Sequence, residues 1–166
     1  MTIKSDIEAA KNKAYLALLE RHKGIIYKVA RAYGKDQERD DRVQDICLQL
    51  WRSFDTYKDA YAESTWVYRI ALNTCISAYR KVKTQTKDSR SIEPILYPEQ
   101  NTQDDQLDAL YQMIQQLKEL DRAILVLHLE GKTHKEIGTI MGYTETNVST
   151  RLNRIKTYLK SIANKL

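Results

Sequence analysis

The stretch THKEIGTIMGYTETNVSTRLNRI, Thr133–Ile155, decides the fold because it has the pattern of a helix-turn-helix. Two helices that cross at a sharp angle need a small residue at the crossing, and the tight turn between them favours glycine. Gly138 and Gly142 stand at these two places. The side chains expected to lock the pair are Ile137, Met141, Tyr143, Val148 and Leu152. We therefore predict two crossing helices here.

Capping residues mark where these two helices begin. Thr133 is followed three residues later by Glu136, which is the pattern of a capping box. The second helix is expected to open at Thr144 or Thr146 and to run to about Ala163.

The second helix has two chemically different faces. At about 100° per residue, Val148, Leu152, Ile155 and Leu159 fall on one side, which is expected to face inward. The opposite side carries Thr146, Thr150, Asn153, Arg154 and Thr157, and it is flanked by Asn147 and Arg151. Hydroxyls, amides and arginines bind base edges and phosphates, so the candidate DNA-binding residues are Thr146, Asn147, Thr150, Arg151 and Arg154. Residues 131–166 hold seven Lys or Arg against two acids, a net charge of +5. We predict a DNA-reading helix; the alternative is a helical hairpin whose outer face meets only solvent.

Composition predicts an all-α chain of 166 residues. Only 5 glycines and 2 prolines occur, which argues against a turn-rich β-sandwich or barrel. The net charge of +5 and pI of about 9.1 permit a polyanionic partner, although a merely solvated basic surface fits them too.

A polar stretch divides the chain into two small helical domains. Thr84–Gln106 holds both prolines, Pro94 and Pro98, and has two basic against five acidic residues, a net charge of −3. We interpret residues 84–106 as a flexible linker between an N-terminal module, 1–83, and a C-terminal module, 107–166.

The N-terminal module is expected to hold several helices separated by a loop. Asp6 is the expected cap of a first helix that ends at Gly24, and a short helix follows over Ile25–Ala32. The remaining predictions are a helix over Glu38–Arg52, a loop over Ser53–Glu63 and a helix over Ser64–Lys83 whose inner stripe is Val67, Ile70, Ala71, Thr74 and Ala78. In the C-terminal module, further helices are expected from Asp104 or Asp105 to Leu117 and over Arg122–Leu129.

The helix over Ser64–Lys83 carries an unusual polar stripe. Its members fall within about 80° of one another on the helical wheel: Trp66, Arg69, Asn73, Ser77 and Arg80. A tryptophan among arginines suits base stacking with backbone contacts, and Tyr57 and Tyr61 in the preceding loop are further stacking candidates. The alternative is that Trp66 packs against Phe54 or Trp51.

An acidic face lies on the preceding helix. Asp41, Gln44, Asp45 and Leu48 share the spacing of one helical face, which suits a basic protein partner. The alternative is a solvated helix start that acidic residues stabilise.

Several function classes find no support in the sequence. Cys47 and Cys75 sit among apolar helix residues, and the three histidines lie in separate segments, so we predict no metal and no cofactor. Without a catalytic constellation, we expect neither an enzyme nor a small-molecule substrate. Since no apolar run approaches the roughly 20 residues of a membrane span and no signal peptide opens the chain, we expect a cytoplasmic protein.

Three segments together resemble the bacterial sigma factors of RNA polymerase, in particular the extracytoplasmic-function group. RVQDICLQLW (Arg42–Trp51) resembles that family's second-region helix, and STWVYRIALN (Ser64–Asn73) resembles its promoter-melting helix. Leu117–Ile155 resembles its fourth region.

The resemblance implies a role for each surface. Core RNA polymerase would dock through its largest-subunit clamp helices and its flap, the clamp contact falling on Asp41, Gln44, Asp45, Leu48 and Trp51. Promoter DNA would be opened and read at the −10 element by Ser53–Glu63 and Trp66–Arg80, and at the −35 element by Thr144–Ile155. An anti-sigma factor is a further partner that the resemblance implies.

Two other functions remain open at this point. A conventional helix-turn-helix regulator would bind a symmetric operator without polymerase. A helical adaptor would bind only proteins and show no salt-sensitive DNA affinity.

Overall fold

The computed structural model describes residues 2–35, 37–58, 60–85 and 103–165, and their regular structure is entirely helical. This confirms the all-α prediction. The α-helices are α1 (Ile3–Tyr33), α2 (Gln37–Ser53), α3 (Glu63–Gln85), α4 (Gln103–Gln115), α5 (Glu119–Leu129), α6 (His134–Met141) and α7 (Glu145–Ala163). A single 3-10 turn, Phe54–Thr56, follows α2.

The N-terminal module is a bundle in which α1, α2 and α3 each pack against the other two. Its core is built from apolar stripes of the three helices: Leu18, Ile26, Val29, Ile46, Leu50, Val67 and Ala71. The stripe predicted for α3 is too narrow, because Tyr68, Leu72 and Ile76 are buried as well.

The prediction that Gly24 ends the first helix is wrong, since α1 runs unbroken from Ile3 to Tyr33. A glycine inside a helix costs only about 1 kcal/mol relative to alanine, and burial of Ile26 and Val29 just beyond it outweighs that cost. The helix also begins before Asp6, so this residue is not its cap.

The C-terminal module places the helix-turn-helix as predicted. The Thr133 side chain accepts a hydrogen bond from the backbone N–H of Glu136, and the Glu136 carboxylate accepts one from the N–H of Thr133, which confirms the capping box. Gly142 ends α6 with a left-handed φ of 75°. Thr144, one of the two expected residues, caps α7 by accepting from the N–H of Asn147.

Gly138 lies where α6 and the turn before α7 meet. A Cβ atom at this position would lie 2.5 Å from the backbone carbonyl oxygen of Tyr143. That distance is shorter than any stable contact, so only glycine lets the two segments approach so closely.

The two modules pack against each other rather than lying apart as separate tethered bodies. Helix α1 contacts α4 and α5, helix α3 contacts α5 and α6, and one hydrophobic cluster runs through both modules. We call this contact the module interface. Within the predicted linker 84–106, residues 84–85 complete α3 and 103–106 belong to α4. Residues 86–102 lie outside the described part of the chain.

Candidate functional site

The outer face of α7 has the arrangement predicted for a DNA reader. Val148, Leu152 and Ile155 are buried, whereas the opposite side is open to solvent. A shallow groove along that side is lined by Asp121, Thr144, Thr146, Asn147, Thr150, Arg151 and Arg154. The predicted −35 residues therefore share one accessible, hydrogen-bonding surface.

Arg151 differs from Arg154 in how firmly it is held. Its Nε donates to the Asn147 side-chain oxygen at 2.9 Å, and its Nη1 lies 3.3 Å from the Asp121 carboxylate. The guanidinium also lies 4.9 Å from the centre of the Tyr143 ring. Arg154 is exposed one turn further along the helix. Arg151 is thus oriented before any ligand arrives.

Tyr57, Tyr61 and Trp66 lie together at the N-terminal end of α3. The Tyr57 and Trp66 rings lie 5.1 Å apart, and the Arg69 guanidinium lies 4.4 Å from the centre of the Tyr61 ring. Trp51 and Phe54 instead pair with Tyr15. Trp66 is therefore half-buried, and its ring pairs with that of a loop tyrosine.

The start of α3 is anchored by an ion-pair cluster that the sequence did not reveal. The Glu63 carboxylate lies 2.9 Å from Arg21 and 2.7 Å from the His22 ring. Burial acts to raise the Glu63 pKa, but the hydrogen bonds from His22 and Arg21 outweigh it and hold that pKa below its usual value. This cluster fixes the end of α3 that carries Trp66.

The remaining polar residues of the α3 stripe lie in two different environments. Asn73 and Ser77 are exposed and line a groove that α2 shares. Arg69 and Arg80, by contrast, reach into the C-terminal module: Arg69 donates to the Thr139 carbonyl, and Arg80 Nε lies 3.2 Å from Glu119.

The predicted polymerase-binding residues fall into two places. Asp41, Gln44 and Leu48 point outward from α2, with Asp45 beside them in an ion pair with Arg42 at 3.0 Å. Leu48 is 46% exposed, so an apolar side chain lies among these polar groups at the surface. Trp51 faces α1 instead, where its ring meets Tyr15 at 5.0 Å and Lys11 at 4.4 Å.

Arg122 is the residue of greatest structural consequence that sequence reasoning missed. It is 7% exposed and donates to the carbonyls of Leu117 and Gln115 at 2.8 and 2.6 Å. A third bond, at 3.3 Å, reaches Ala32 in the other module. A buried arginine is stable only when its donors are satisfied, and these carbonyls satisfy them.

The described residues give little support for a membrane span, a metal site or a reactive thiol. None of their helices is both long and apolar enough to span a bilayer, and no group of three or more His, Cys, Asp or Glu side chains is placed to hold a metal. Burial raises the pKa of the Cys75 thiol to about 12, so this thiol stays protonated and unreactive.

Comparison of the sequence with protein families gives two matches. Residues 18–85 match Sigma-70 region 2, and residues 107–159 match Sigma-70 region 4. The first match contains α2 and α3, and the second contains the helix-turn-helix.

Individual proteins that are similar to this chain agree with the two family matches. The chain is 25% identical to the ECF RNA polymerase sigma factor SigM of Mycobacterium tuberculosis, over 88% of this chain and 75% of SigM. It is 28% identical to the RNA polymerase sigma-H factor of Pseudomonas aeruginosa, over 85% and 80% of the two chains. The sigma factor RpoE of Bartonella quintana, solved with the anti-sigma factor NepR, shares the fold with a TM-score of 0.66 at 19% identity, over 92% of this chain and 96% of that one.

Proposed function

Because this chain belongs to the sigma-70 family of RNA polymerase sigma factors, in its extracytoplasmic-function group, we propose that three of its surfaces divide the work of promoter recognition. The α2 face binds core polymerase, the α3 face captures the melted −10 strand, and α7 reads the −35 duplex. The observation that carries this proposal is that one chain holds both the aromatic end of α3 and the exposed polar face of α7, each within a matching sigma-70 region.

No bond-making chemistry is needed from the chain in this scheme. Polymerase synthesises RNA, and this protein supplies recognition, so we propose that it is not an enzyme and that it acts in the cytoplasm, where polymerase and promoters are. Two DNA contacts in one chain raise each other's effective concentration, so neither contact has to be strong alone. The function of a conventional helix-turn-helix regulator is not favoured, because it would leave the residues that match Sigma-70 region 2 without a role.

The −10 contact is assigned to the aromatic end of α3. Trp66, Tyr57 and Tyr61 offer ring faces on which unpaired bases stack. A base that leaves the duplex loses a few kcal/mol of stacking and pairing, and a fitted aromatic pocket offsets that loss. Asn73 supplies an exposed hydrogen-bonding group about two turns beyond Trp66 on α3.

The −35 contact is assigned to Thr146, Asn147, Thr150, Arg151 and Arg154 on α7. Arg151 is held by Asn147 and Asp121, so we assign it to a base edge. Arg154 is exposed, so we assign it to a phosphate. Braced donors discriminate between bases, whereas phosphate contacts act on every sequence alike.

Alanine substitutions separate these two arginines. Arg151→Ala is expected to cost about 1–3 kcal/mol on the preferred −35 duplex and to relax the sequence preference. Arg154→Ala is expected to weaken all duplexes evenly and to lower the slope of log affinity against log salt by about 1. Fluorescence anisotropy of the holoenzyme on −35 variants at several salt concentrations measures both effects. Arg52→Ala, at an exposed arginine of α2, is the control. Unchanged binding by both α7 variants would contradict the assignment.

We assign the polymerase contact to Asp41, Gln44, Asp45 and Leu48. Trp51 acts indirectly, because its ring packs against α1 and so helps to hold α2 in place. Exposed Leu48 supplies the apolar centre and the carboxylates supply the polar rim, which is the usual anatomy of a protein interface.

Leu48→Arg is expected to weaken binding to core polymerase by about tenfold or more, because it places a charge at the centre of the contact. Leu16→Arg is a matched control, since Leu16 is 62% exposed on α1 outside the proposed contact. Titration of labelled chain with core polymerase measures both variants. Equal affinities for the two variants would remove the α2 face from the contact.

An anti-sigma protein is the further partner that we propose. The support is the fold shared with RpoE, whose structure was solved in complex with the anti-sigma factor NepR. Pull-down of the tagged chain from its native cell tests both partner proposals. Polymerase subunits should be recovered, and an additional stoichiometric protein would be the candidate regulator. Recovery of operator DNA without polymerase would instead support the conventional regulator.

A further inference from the structure

Two charged contacts tie helix α1 to the segment that joins α2 to α3. Near the start of this segment, Lys11 Nζ lies 2.7 Å from the Asp55 carboxylate. At its end, the Glu63 carboxylate accepts hydrogen bonds from Arg21 Nε at 3.0 Å and Arg21 Nη2 at 3.1 Å. The His22 ring lies 2.7 Å from the same carboxylate. We call these contacts the Asp55 anchor and the Glu63 anchor.

The three aromatic residues assigned to the −10 contact all lie close to an anchor in the sequence. Tyr57 follows Asp55 by two residues, and Tyr61 precedes Glu63 by two. Trp66 follows Glu63 by three residues, which is about one turn of α3. The Tyr57 hydroxyl also donates to the Tyr61 carbonyl at 3.0 Å, which links the two ends of the segment. Each ring is thus attached to α1 through only a few residues of backbone.

The Glu63 anchor is the more rigid of the two. Two guanidinium nitrogens face two carboxylate oxygens, and such a bidentate pair fixes orientation as well as distance. The His22 side chain is only 14% exposed, so this second contact is largely shielded from solvent. The first turn of α3, which leads to Trp66, therefore has a fixed position relative to α1.

The Asp55 anchor depends on a lysine that is itself held in place. Lys11 Nζ lies 4.4 Å from the centre of the Trp51 ring, and this cation–π contact keeps the ammonium group beside α2. The Asp55 side chain is 72% exposed, so the pair is the weaker of the two anchors. Lys11 also precedes residue 18, where the match to Sigma-70 region 2 begins. This anchor therefore uses a part of α1 outside that match.

We propose that the two anchors position the −10 site, by holding its three aromatic rings in the arrangement that receives an unpaired base. The positioning residues are Lys11, Arg21 and His22 on α1, which act through Asp55 and Glu63 rather than by touching DNA. Rings that are ordered before the base arrives lose less entropy on binding, so the base binds more tightly. This inference rests on the −10 role proposed for the aromatic end of α3.

The sign of the effect separates positioning from simple electrostatics. Asp55 and Glu63 repel the phosphates of a DNA strand, so through charge alone the loss of either carboxylate would tighten binding. Positioning predicts weaker binding, because the same change releases the rings. Both anchors join residues of the N-terminal module, so they are independent of the module interface. Since exposed ion pairs contribute little to folding, the loss is expected at the −10 site rather than in the fold.

Glu63→Gln tests the stronger anchor, because it keeps the size of the side chain and removes the charge that Arg21 and His22 face. We expect the holoenzyme to capture the −10 strand about threefold to tenfold more weakly, as when one further side chain has to be ordered on binding. The preference among the four bases at the captured position should fall as well. Titration with a single strand that carries a fluorescent base analogue measures the affinity, and competition with unlabelled strands measures the preference.

Exchange of the two charges tests the Asp55 anchor. Asp55→Lys places two ammonium groups against each other, and we expect it to weaken capture about twofold, although it adds positive charge. Adding Lys11→Glu restores an ion pair of reversed polarity and should recover capture, although it removes positive charge. Both expected changes are opposite in sign to those that net charge alone predicts.

Further variants control for charge and for folding. Glu20→Gln makes the same charge change as Glu63→Gln at a residue that pairs with Lys23 on the same helix at 2.7 Å, and it should leave capture unchanged. Arg21→Lys keeps a cation opposite Glu63 without the bidentate geometry, so it should retain more capture than Arg21→Ala. Binding to the −35 duplex and the far-ultraviolet circular dichroism spectrum should match the wild type in every variant.

The outcomes distinguish this inference from the proposed function. Capture by Glu63→Gln at the wild-type level or above, together with a loss of capture in Trp66→Ala, overturns the positioning role alone. An equal loss of −35 binding in Glu63→Gln also overturns it, because the anchors would then support the fold and not the site. Wild-type capture by Trp66→Ala would instead remove the −10 role of α3 on which the inference rests.

Discussion

Gly138→Ala is expected to destabilise the C-terminal module by about 3 kcal/mol and to abolish binding to the −35 duplex at physiological temperature. The added Cβ would lie 2.5 Å from the Tyr143 carbonyl oxygen. Because the obstructing atom belongs to the backbone, relief requires the two helices of the reading motif to move apart, and overpacking of this kind costs about 1–3 kcal/mol or more. Urea unfolding followed by circular dichroism measures the loss.

Gly24→Ala provides a control with the opposite sign. Gly24 lies inside α1, and a Cβ there would meet no atom within 4 Å. Alanine should therefore stabilise the chain by about 0.5–1 kcal/mol, through the lower backbone entropy of its unfolded state. A destabilising effect at Gly24, or none at Gly138, would contradict this description of the two glycines.

Trp66→Ala is expected to reduce capture of the unpaired −10 strand by the holoenzyme roughly 5-fold to 150-fold. Removing one aromatic platform costs about 1–3 kcal/mol per stacked base. The Tyr57 ring, 5.1 Å from Trp66, also loses its neighbour. Fluorescence of a base analogue in the −10 strand reports the capture directly, because its emission changes when the base leaves the stack.

The design of this test separates stacking from folding. Trp66→Tyr keeps a ring face and should restore most of the capture. Tyr27→Ala removes an aromatic that is 55% exposed on α1, outside the site, and should leave capture unchanged. Duplex binding at the −35 element should be equal in all three variants. Wild-type capture by Trp66→Ala would remove this residue from the −10 site.

Local signals made the helix-turn-helix predictable. Each of its signals acts over three to five residues and can therefore be recognised in the sequence. These signals are the capping box at Thr133, the small residue at 138 and the left-handed Gly142. The faces of α7 followed equally well, because amphipathic spacing depends only on helical geometry.

Structural features that depend on contacts between residues far apart in the sequence were not predictable. The prediction at Gly24 is wrong because the burial that overrides its low helix propensity comes from α2 and α3. The predicted α3 stripe is too narrow, because α3 also packs against α5 and α6, which lie more than thirty residues away in sequence. The role of Arg122 was not predicted, because two of its three carbonyl partners lie just before α5 and the third, Ala32, is 90 residues away in sequence.

In the candidate site, too, local features were predictable and features that depend on helix packing were not. Spacing within one helix correctly grouped the exposed residues of α7 and the outward residues of α2. It did not reveal that Trp51 turns toward Tyr15 and Lys11, or that Arg69 and Arg80 meet the C-terminal module. Those placements depend on how helices pack, which a single sequence does not encode locally.

Run-off transcription on fragments of the native genome tests most directly whether this chain gives core RNA polymerase its promoter specificity. With core polymerase and the wild-type chain, sequencing of RNA 5′ ends should reveal starts that are absent with core alone. These starts should share two upstream sequence blocks about 25 base pairs apart, as one molecule with two DNA-reading surfaces requires. Contradiction would come from a transcript set identical to that of core polymerase alone.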